Sequence, residues 1–257
     1  MKNPSMPIPG ISNRTRRLIP GIRHHTRRAK FRESDVPHIL KRLRSLGSRR
    51  NIEGMARFGI TSRKVFGVGT TPLRNLARQI DKNHALAAQL WKSGWLEART
   101  LASLIDDPSE VTPVQMDRWA KDFDNWAVCD ACCGVLFDKT PYAVTKAIQW
   151  CKDKREFVRR AGFVMMAELA VHDKKAPDKV FERFFPHLKR GATDNRNFVK
   201  KAVNWAVRQI GKRNLTLNKK AIRLSKEIHA LGTSSARWIA SDALRELRSP
   251  SVQKRLR

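Results

Sequence analysis

The sequence FVRRAGF at residues 157–163 returns as FVKKAVN at residues 198–204, an offset of 41 residues. Residues 97–102 and 236–240 repeat the pattern more loosely. A period near 40 residues in helical sequence is typical of stacked helix pairs. The pattern therefore predicts an all-α, HEAT-like (armadillo-type) helical-repeat solenoid, whose second helices line a concave basic groove. A non-repetitive helical bundle is the alternative.

The chain around this repeat is also helical in pattern. Apolar residues recur at helical spacing from Ser34 onward, which predicts a first amphipathic helix with Ser34 as its N-cap. Further helices are predicted near residues 72–81, 83–93, 95–105 and 112–121, with Thr71 capping the first of these ahead of Pro72. No window alternates with period two for long enough to indicate a strand.

The charge balance indicates the class of partner. The chain has 53 Lys and Arg against 23 Asp and Glu, a formal net charge of +30. This excess predicts a polyanion as the partner, because phosphate contacts release counterions. Four cysteines without a framework of spaced pairs indicate a reducing compartment. Because we find neither a signal-peptide core nor an apolar run of membrane-spanning length, we expect a soluble, cytoplasmic protein.

The sequence divides into two segments. Residues 1–50 are predicted to be a basic N-terminal arm and the first helix, and residues 51–257 the repeat domain. Prolines and closely spaced arginines mark the arm. We interpret it as a tail that follows a nucleic-acid backbone. A solvated extension is the alternative, and acidic lipid is a weaker one because the arm lacks a long apolar face.

Residues 123–137, FDNWAVCDACCGVLF, are the candidate for the chemistry. Trp126 and Asp130 lie one helical turn apart on one face, and most neighbours of Asp130 on that face are small and uncharged. A ligand can therefore approach the carboxylate, and a cation that pairs with it must come from another helix or from a substrate. The alternative is an aspartate favoured by the helix dipole near an N-terminus.

A second candidate surface lies on the helix predicted at residues 197–212. Its apolar stripe leaves four residues along the other side, namely Lys201, Trp205, Arg208 and Lys212. A tryptophan among cations suits a surface that grips a nucleic-acid backbone and packs a ring on sugar or base. In the preceding copy Arg160 occupies the position of Lys201, and Arg159 precedes it. A solvated basic face is the alternative.

Metal and nucleotide chemistry are not expected. Cys129, Cys132 and Cys133 lie on one helix, but the surrounding sequence supplies no further zinc ligands, so we interpret them as core thiols. The chain contains no P-loop and no recognisable nucleophile motif.

Three segments together resemble a known family. FDNWAVCD at residues 123–130, EFVRRA at 156–161 and NFVKKAVNWAVR at 197–208 are similar to the bacterial DNA alkylation-repair glycosylases of the AlkD family. The resemblance covers roughly residues 50–230 and leaves the arm outside. It implies a HEAT-like repeat fold and excision of cationic alkylpurines, such as N3-methyladenine and N7-methylguanine, from duplex DNA without base flipping.

The resemblance also implies roles for particular residues. Trp126 and Asp130 match a Trp and an Asp that sit at the lesion, and Trp205 matches a second Trp that flanks it. An Arg of the Arg159–Arg160 pair contacts DNA, and by register this is Arg160. A carboxylate at that place stabilises the cationic deoxyribose that forms as the glycosidic bond breaks.

The sequence thus predicts a monofunctional alkylpurine DNA glycosylase that acts as a monomer, without cofactor or metal, on the nucleoid of a bacterial cytoplasm. The expected catalytic residues are Asp130, Trp126 and Trp205. The expected DNA-binding residues are Arg159, Arg160, Lys201, Arg208 and Lys212. One alternative is a non-catalytic scaffold that binds DNA or structured RNA, and a weaker one is a protein-interaction solenoid with an acidic partner.

Overall fold

The computed structural model describes Arg32 and residues 35–256. In this part of the chain fifteen α-helices follow one another, with a short 3-10 helix at Phe137–Lys139 and no strand. The helices are α1 Val36–Leu46, α2 Arg49–Arg57, α3 Thr70–Ile80, α4 His84–Lys92, α5 Leu96–Ile105, α6 Pro113–Lys121, α7 Trp126–Val135, α8 Ala143–Trp150, α9 Glu156–His172, α10 Asp178–Glu182, α11 Phe185–Gly191, α12 Asn197–Gly211, α13 Leu215–His229, α14 Ser234–Leu247 and α15 Pro250–Leu256. The predicted all-α class is confirmed.

The helices form pairs whose second members stack in one layer. Helices α4 and α5, α8 and α9, α11 and α12, and α13 and α14 contact each other as consecutive pairs. The second members α5, α9, α12 and α14, with α7 between α5 and α9, pack against one another in chain order. Helix α9 is central, with eleven of its residues buried between its neighbours. The layer places the exposed faces of α7, α9, α12 and α14 side by side, as expected for a HEAT-like repeat.

The repeat extends to residues that precede the matching segments 157–163 and 198–204. Arg155 and Arg196 are the N-caps of α9 and α12, which reproduces the offset of 41 residues between the two copies. Each arginine binds the aspartate two residues before it through backbone and guanidinium N–H groups, Arg155 to Asp153 and Arg196 to Asp194. These matched pairs fix the turn that enters each long helix.

Six of the helix starts in the described residues have a side-chain N-cap. Asn83, Thr112 and Asn125 each accept hydrogen bonds from backbone N–H groups in the first turn of their helices. The prediction that Thr71 caps a helix is wrong, because α3 begins at Thr70 and its N-cap is Gly69. Pro72 lies within that first turn, where a backbone N–H has no helical partner to lose.

The first helix belongs to the core. Ile39 and Leu43 on α1 are fully buried, and α1 packs against α4 and α5. The arm at residues 1–31 and the proposed cap Ser34 lie outside the described residues, so the boundary at residue 50 stays a prediction. No helix in the described part of the chain has the length and apolar character needed to cross a membrane.

Candidate functional site

Four consecutive second helices place different chemical groups at one equivalent position. The fifth residue of α7 is Asp130, and the fifth residues of α9, α12 and α14 are Arg160, Lys201 and Trp238. These helices are neighbours in the layer, and we call the four equivalent positions the central row. The row contains one carboxylate, two cations and one aromatic ring.

Asp130 and Arg160 form a two-bond ion pair within the central row. Arg160 Nε donates to Asp130 Oδ1 at 2.8 Å, and Nη2 donates to Oδ2 at 2.7 Å. The third guanidinium nitrogen, Nη1, donates to the backbone carbonyl of Phe198 on α12 at 2.6 Å. The Asp130 side chain keeps 19% of its surface exposed, and the Arg160 side chain 8%. Arg160 therefore holds the carboxylate in one orientation while leaving one side of it accessible.

The buried position affects the titration of Asp130. Burial raises the pKa of the Asp130 carboxyl above its ordinary value, and the hydrogen bonds and charge of Arg160 act in the opposite direction. A carboxylate has about four lone-pair sites; Arg160 occupies two of them and the Cys129 thiol is a further hydrogen-bond partner, which leaves about one site for water or substrate.

Trp126 begins α7 and forms one wall of a cleft. Its indole Nε1 donates to the carbonyl of Phe58 at 2.8 Å, which fixes the ring against the segment that follows α2. The cleft has a volume of about 840 Å³ and is also lined by Arg57, Phe58 and Ile60. Trp126 and Asp130 are therefore one turn apart on the exposed side of α7, as the sequence predicts.

The other predicted ring contact lies on α12. Trp205 is half-buried and packs against the apolar core, so only part of its ring is free. Lys201, one turn before it, is exposed and has no ion pair or hydrogen bond with any described residue. The structure thus brings Asp130, Arg160 and Lys201 into the central row, with Trp126 and Trp205 one turn away.

The remaining predicted DNA-binding cations are paired with carboxylates. Lys212 Nζ donates to Glu246 Oε1 at 2.5 Å, and Arg208 pairs with the other oxygen of Glu246. Arg159 Nε lies 3.3 Å from Asp194 Oδ2. Each of these cations would have to share or leave its carboxylate in order to bind a phosphate.

Trp238 is a candidate contact that the sequence analysis did not identify. It is 42% exposed, and Lys200 Nζ lies 5.3 Å from its ring centroid. By contrast, Trp91, Trp119 and Trp150 are buried in the core. The N-caps of α12 and α14 are 37 residues apart, Arg196 and Thr233, instead of 41. This shorter spacing concealed the equivalence of Trp238 and Lys201.

The cysteines of α7 lie in the core. Cys129, Cys132 and Cys133 are fully buried free thiols, as interpreted from the sequence. Burial raises the pKa values of Cys132 and Cys133 well above the ordinary value, so both thiols stay protonated.

A second carboxylate lies on α9 beside α7. The Glu168 side chain is 13% exposed and rests against Gly134, one turn after Asp130, where a Cβ would collide with the carboxylate. Its charged neighbours are His172 on the same helix, Asp130 on α7, and Asp138 and Lys139 on the 3-10 helix. Burial, with a smaller contribution from the two aspartates, raises the pKa of Glu168 to about 7, against the opposing effects of His172 and Lys139.

Glu168→Gln is expected to stabilise the protein at pH 8 and to have little effect near pH 4.5. The folded-state pKa of about 7 lies above the ordinary 4.5, so the folded protein binds more protons and loses stability as pH rises between these values. Glutamine resembles the protonated form and avoids this loss, which is on the order of 2–3 kcal/mol. Thermal melting across this pH range measures the effect.

Glu227→Gln is the matched control, because Glu227 is exposed and paired with Lys189. It should show no gain at pH 8. A Glu168→Gln variant that melts at a lower temperature than the wild type at pH 8 would contradict the expected free-energy cost of burying the ionised Glu168 carboxylate.

Comparison with known proteins gives a family match and a structural one. The family described as DNA alkylation repair enzyme matches residues 39–247. No curated protein matches the chain. A solved structure from "a new family of proteins related to the HEAT-like repeat DNA glycosylases with affinity for branched DNA structures" superposes with a TM-score of 0.66 at 22% identity. The match covers 75% of this chain and 83% of that chain, and it shows a shared HEAT-like fold.

Proposed function

The chain belongs to the DNA alkylation repair enzyme family, and from that premise we propose that it is a monofunctional DNA glycosylase. The proposed reaction is hydrolysis of the N-glycosidic bond of cationic alkylpurines, such as N3-methyladenine and N7-methylguanine, in duplex DNA. One observation carries the proposal. Asp130 is a partly exposed carboxylate, held in one orientation by Arg160, in a row that otherwise presents cations and a ring.

The chemistry requires an anion at this place. Alkylation at N3 or N7 leaves the purine positively charged, so the base departs as a neutral molecule and needs no general acid. The barrier then lies in the positive charge that develops on the deoxyribose. A fixed carboxylate beside the sugar is worth about 3–4 kcal/mol, and a tryptophan face adds about 0.5–2 kcal/mol of cation–π attraction. In this proposal Asp130 is the carboxylate beside the sugar, and Trp126 and Trp205 supply the tryptophan faces.

We assign Arg160 a role beyond phosphate binding. Its Nε and Nη2 atoms are bonded to Asp130 and its Nη1 to the Phe198 carbonyl, so it acts as a positioning residue for the carboxylate. Lys201 is the predicted DNA-binding residue that is both exposed and unpaired among the described residues. We assign to Lys201 the phosphate contact nearest the lesion. The other three cations, Arg159, Arg208 and Lys212, would contact phosphates while they keep their carboxylate partners.

The proposed mode of binding follows from where Asp130 lies. The carboxylate is on the exposed side of the helix layer, where the sugar of a stacked nucleotide can reach it. We therefore propose excision without base flipping, by a monomer on the nucleoid of a bacterial cytoplasm. Neither a metal nor a cofactor has a part in this chemistry, because the leaving group is already charged.

A second candidate function is a non-catalytic DNA-binding scaffold. Two bonds from Arg160 neutralise much of the charge of Asp130, and a buried ion pair of this kind can be purely structural. The solved structure with the same fold is described as having affinity for branched DNA structures. Under this alternative the central row binds DNA and releases no base.

The deciding experiment is an excision assay. The protein is incubated in excess with duplex DNA that contains N3-methyladenine or N7-methylguanine, and released bases are separated and counted. We expect single-turnover release of both bases. Tight binding to the same duplex without base release would overturn the glycosylase and favour the scaffold. The absence of both binding and release would overturn both functions.

A further inference from the structure

A polar pocket lies at the far end of the same helix layer. It has a volume of about 580 Å³ and lies where α9, α12 and α15 end and α10 begins. Its charged lining residues are Lys174, Asp178, Lys212, Arg213 and Arg255. We call it the C-terminal pocket. None of its residues is in the central row.

The pocket and the central row are connected by one face of α12. Lys201, Trp205, Arg208 and Lys212 recur at three- or four-residue spacing, so they lie along one stripe. Lys201 is in the central row, and Lys212 lines the pocket. At 1.5 Å per residue, these two positions are about 16 Å apart along the helix.

The charge along this stripe is not uniform. Glu246 pairs with both Arg208 and Lys212, and Asp242 Oδ2 lies 3.6 Å from Arg208 Nε. The two carboxylates of α14 therefore neutralise the half of the stripe that leads to the pocket. Lys201 remains without a carboxylate partner at the other end, and further cations without one lie in the pocket beyond Lys212.

The pocket has more cations than its one carboxylate can neutralise. Lys174 and Arg255 are exposed and form no ion pair or hydrogen bond through their side chains within residues 35–256. Arg213 has no carboxylate partner either. Its guanidinium donates to the carbonyls of Ala170 and Ala176 and lies 4.0 Å from the ring centroid of Phe181, which fixes it in place. Asp178 accepts a hydrogen bond from Asn214.

This arrangement suits a phosphate. Two exposed cations beside a fixed guanidinium supply charge, and Gln209 adds a side-chain amide donor to the lining. An apolar ligand would find little surface there. The DNA major groove is about 12 Å wide, which is comparable with the spacing of about 16 Å along α12 between Lys201 and Lys212 at the edge of the pocket.

We propose that the C-terminal pocket binds a backbone phosphate of the undamaged strand, across the groove from the lesion strand that Lys201 contacts. The inference rests on the proposed function to the extent that duplex DNA lies along this face. It adds a second contact point, separated from the first by a neutral segment. The protein thus holds both strands while Asp130 acts on one.

The test uses salt-dependent binding of intact duplex DNA, measured by fluorescence anisotropy on the full chain. Lys174→Ala/Arg255→Ala is the pocket variant. Lys219→Ala/Lys226→Ala is the matched control, because these lysines are exposed on α13, lie outside the pocket and have no partner in the described residues. The slope of log affinity against log salt should fall in magnitude by about one for the pocket variant, as expected for one lost phosphate contact, and stay unchanged for the control.

A second measurement identifies the strand. In a duplex that contains a single N7-methylguanine, neutral methylphosphonates replace the phosphates of the lesion strand or of the undamaged strand, one strand at a time. Methylphosphonates in the undamaged strand should weaken DNA binding by the wild type. They should leave binding by the pocket variant unaffected, because that variant has already lost the contact. Two results would overturn the proposal that the pocket binds a phosphate of the undamaged strand. One is an unchanged salt slope in the pocket variant, and the other is a loss of affinity only when methylphosphonates are in the lesion strand. A wild type that does not bind duplex DNA at all would instead overturn the proposed function.

Discussion

Replacing Asp130 with asparagine is expected to lower the single-turnover rate of base excision by about two to three orders of magnitude. Asparagine keeps the shape and one oxygen acceptor but removes the charge that stabilises the deoxyribose cation. Binding of undamaged duplex should be unchanged or slightly tighter, because a negative charge that faces phosphates is gone. Rates are measured well below the melting temperature and are expressed per folded molecule.

The comparison requires stability data from the same preparation, because the substitution also leaves Arg160 without its carboxylate partner. Some loss of melting temperature is therefore expected in either case. Asp124→Asn is the matched control. Asp124 is exposed just before α7 and accepts hydrogen bonds from Ser62 and Asn125, outside the central row. The Asp124→Asn variant should excise bases at nearly the wild-type rate. A wild-type excision rate in the Asp130→Asn variant would contradict the proposed mechanism.

Removing the other half of the pair, by Arg160→Ala, is expected to destabilise the fold by about 3 kcal/mol. The substitution leaves a mostly buried carboxylate without its cation and also removes the donor to the Phe198 carbonyl. For a protein of this size the melting temperature should fall by about 6–12 °C. Excision should fall as well, because the carboxylate loses its fixed orientation.

Arg159→Ala serves as the control at the neighbouring position. Its carboxylate, Asp194, keeps a second arginine, Arg196, so the cost should be about 1 kcal/mol or less. A double variant, Asp130→Asn with Arg160→Met, should recover part of the lost stability, since no buried charge is left unpaired. If Arg160→Ala kept both its melting temperature and its excision rate but bound DNA weakly, Arg160 would be the direct phosphate contact that the sequence predicts.

The sequence predicted the helices and the faces well, because periodicity is a local property. The 41-residue offset, the amphipathic first helix and the one-turn spacing of Trp126 and Asp130 were all predictable from the order of residues. The small, uncharged neighbours of Asp130 on its own helix also indicated that a cation paired with it comes from another helix. It could not identify that cation as Arg160, because the two residues belong to different repeats.

Contacts between repeats also explain the other differences at the site. The sequence predicted Arg208 and Lys212 as free cations, but carboxylates on α14 neutralise them across the interface between two repeats. The C-terminal pocket joins the ends of α9 and α12 to α15, and no local pattern relates these segments. Charge pairing and pocket formation depend on which helices become neighbours, and a helical period does not encode this.

The bond from Arg160 to the Phe198 carbonyl has a mechanical consequence. In a solenoid each repeat contacts only its neighbours, so curvature changes through small rotations between adjacent repeats. Asp130, Arg160 and Phe198 lie on α7, α9 and α12, and they form a strut across two such joints. Any flexing at either joint pulls on this strut and turns the carboxylate. Under the proposed function, the angle between the Asp130 carboxylate and the deoxyribose therefore depends on how far a duplex bends the protein, so that a stiff or poorly fitting DNA would be bound without release of its base.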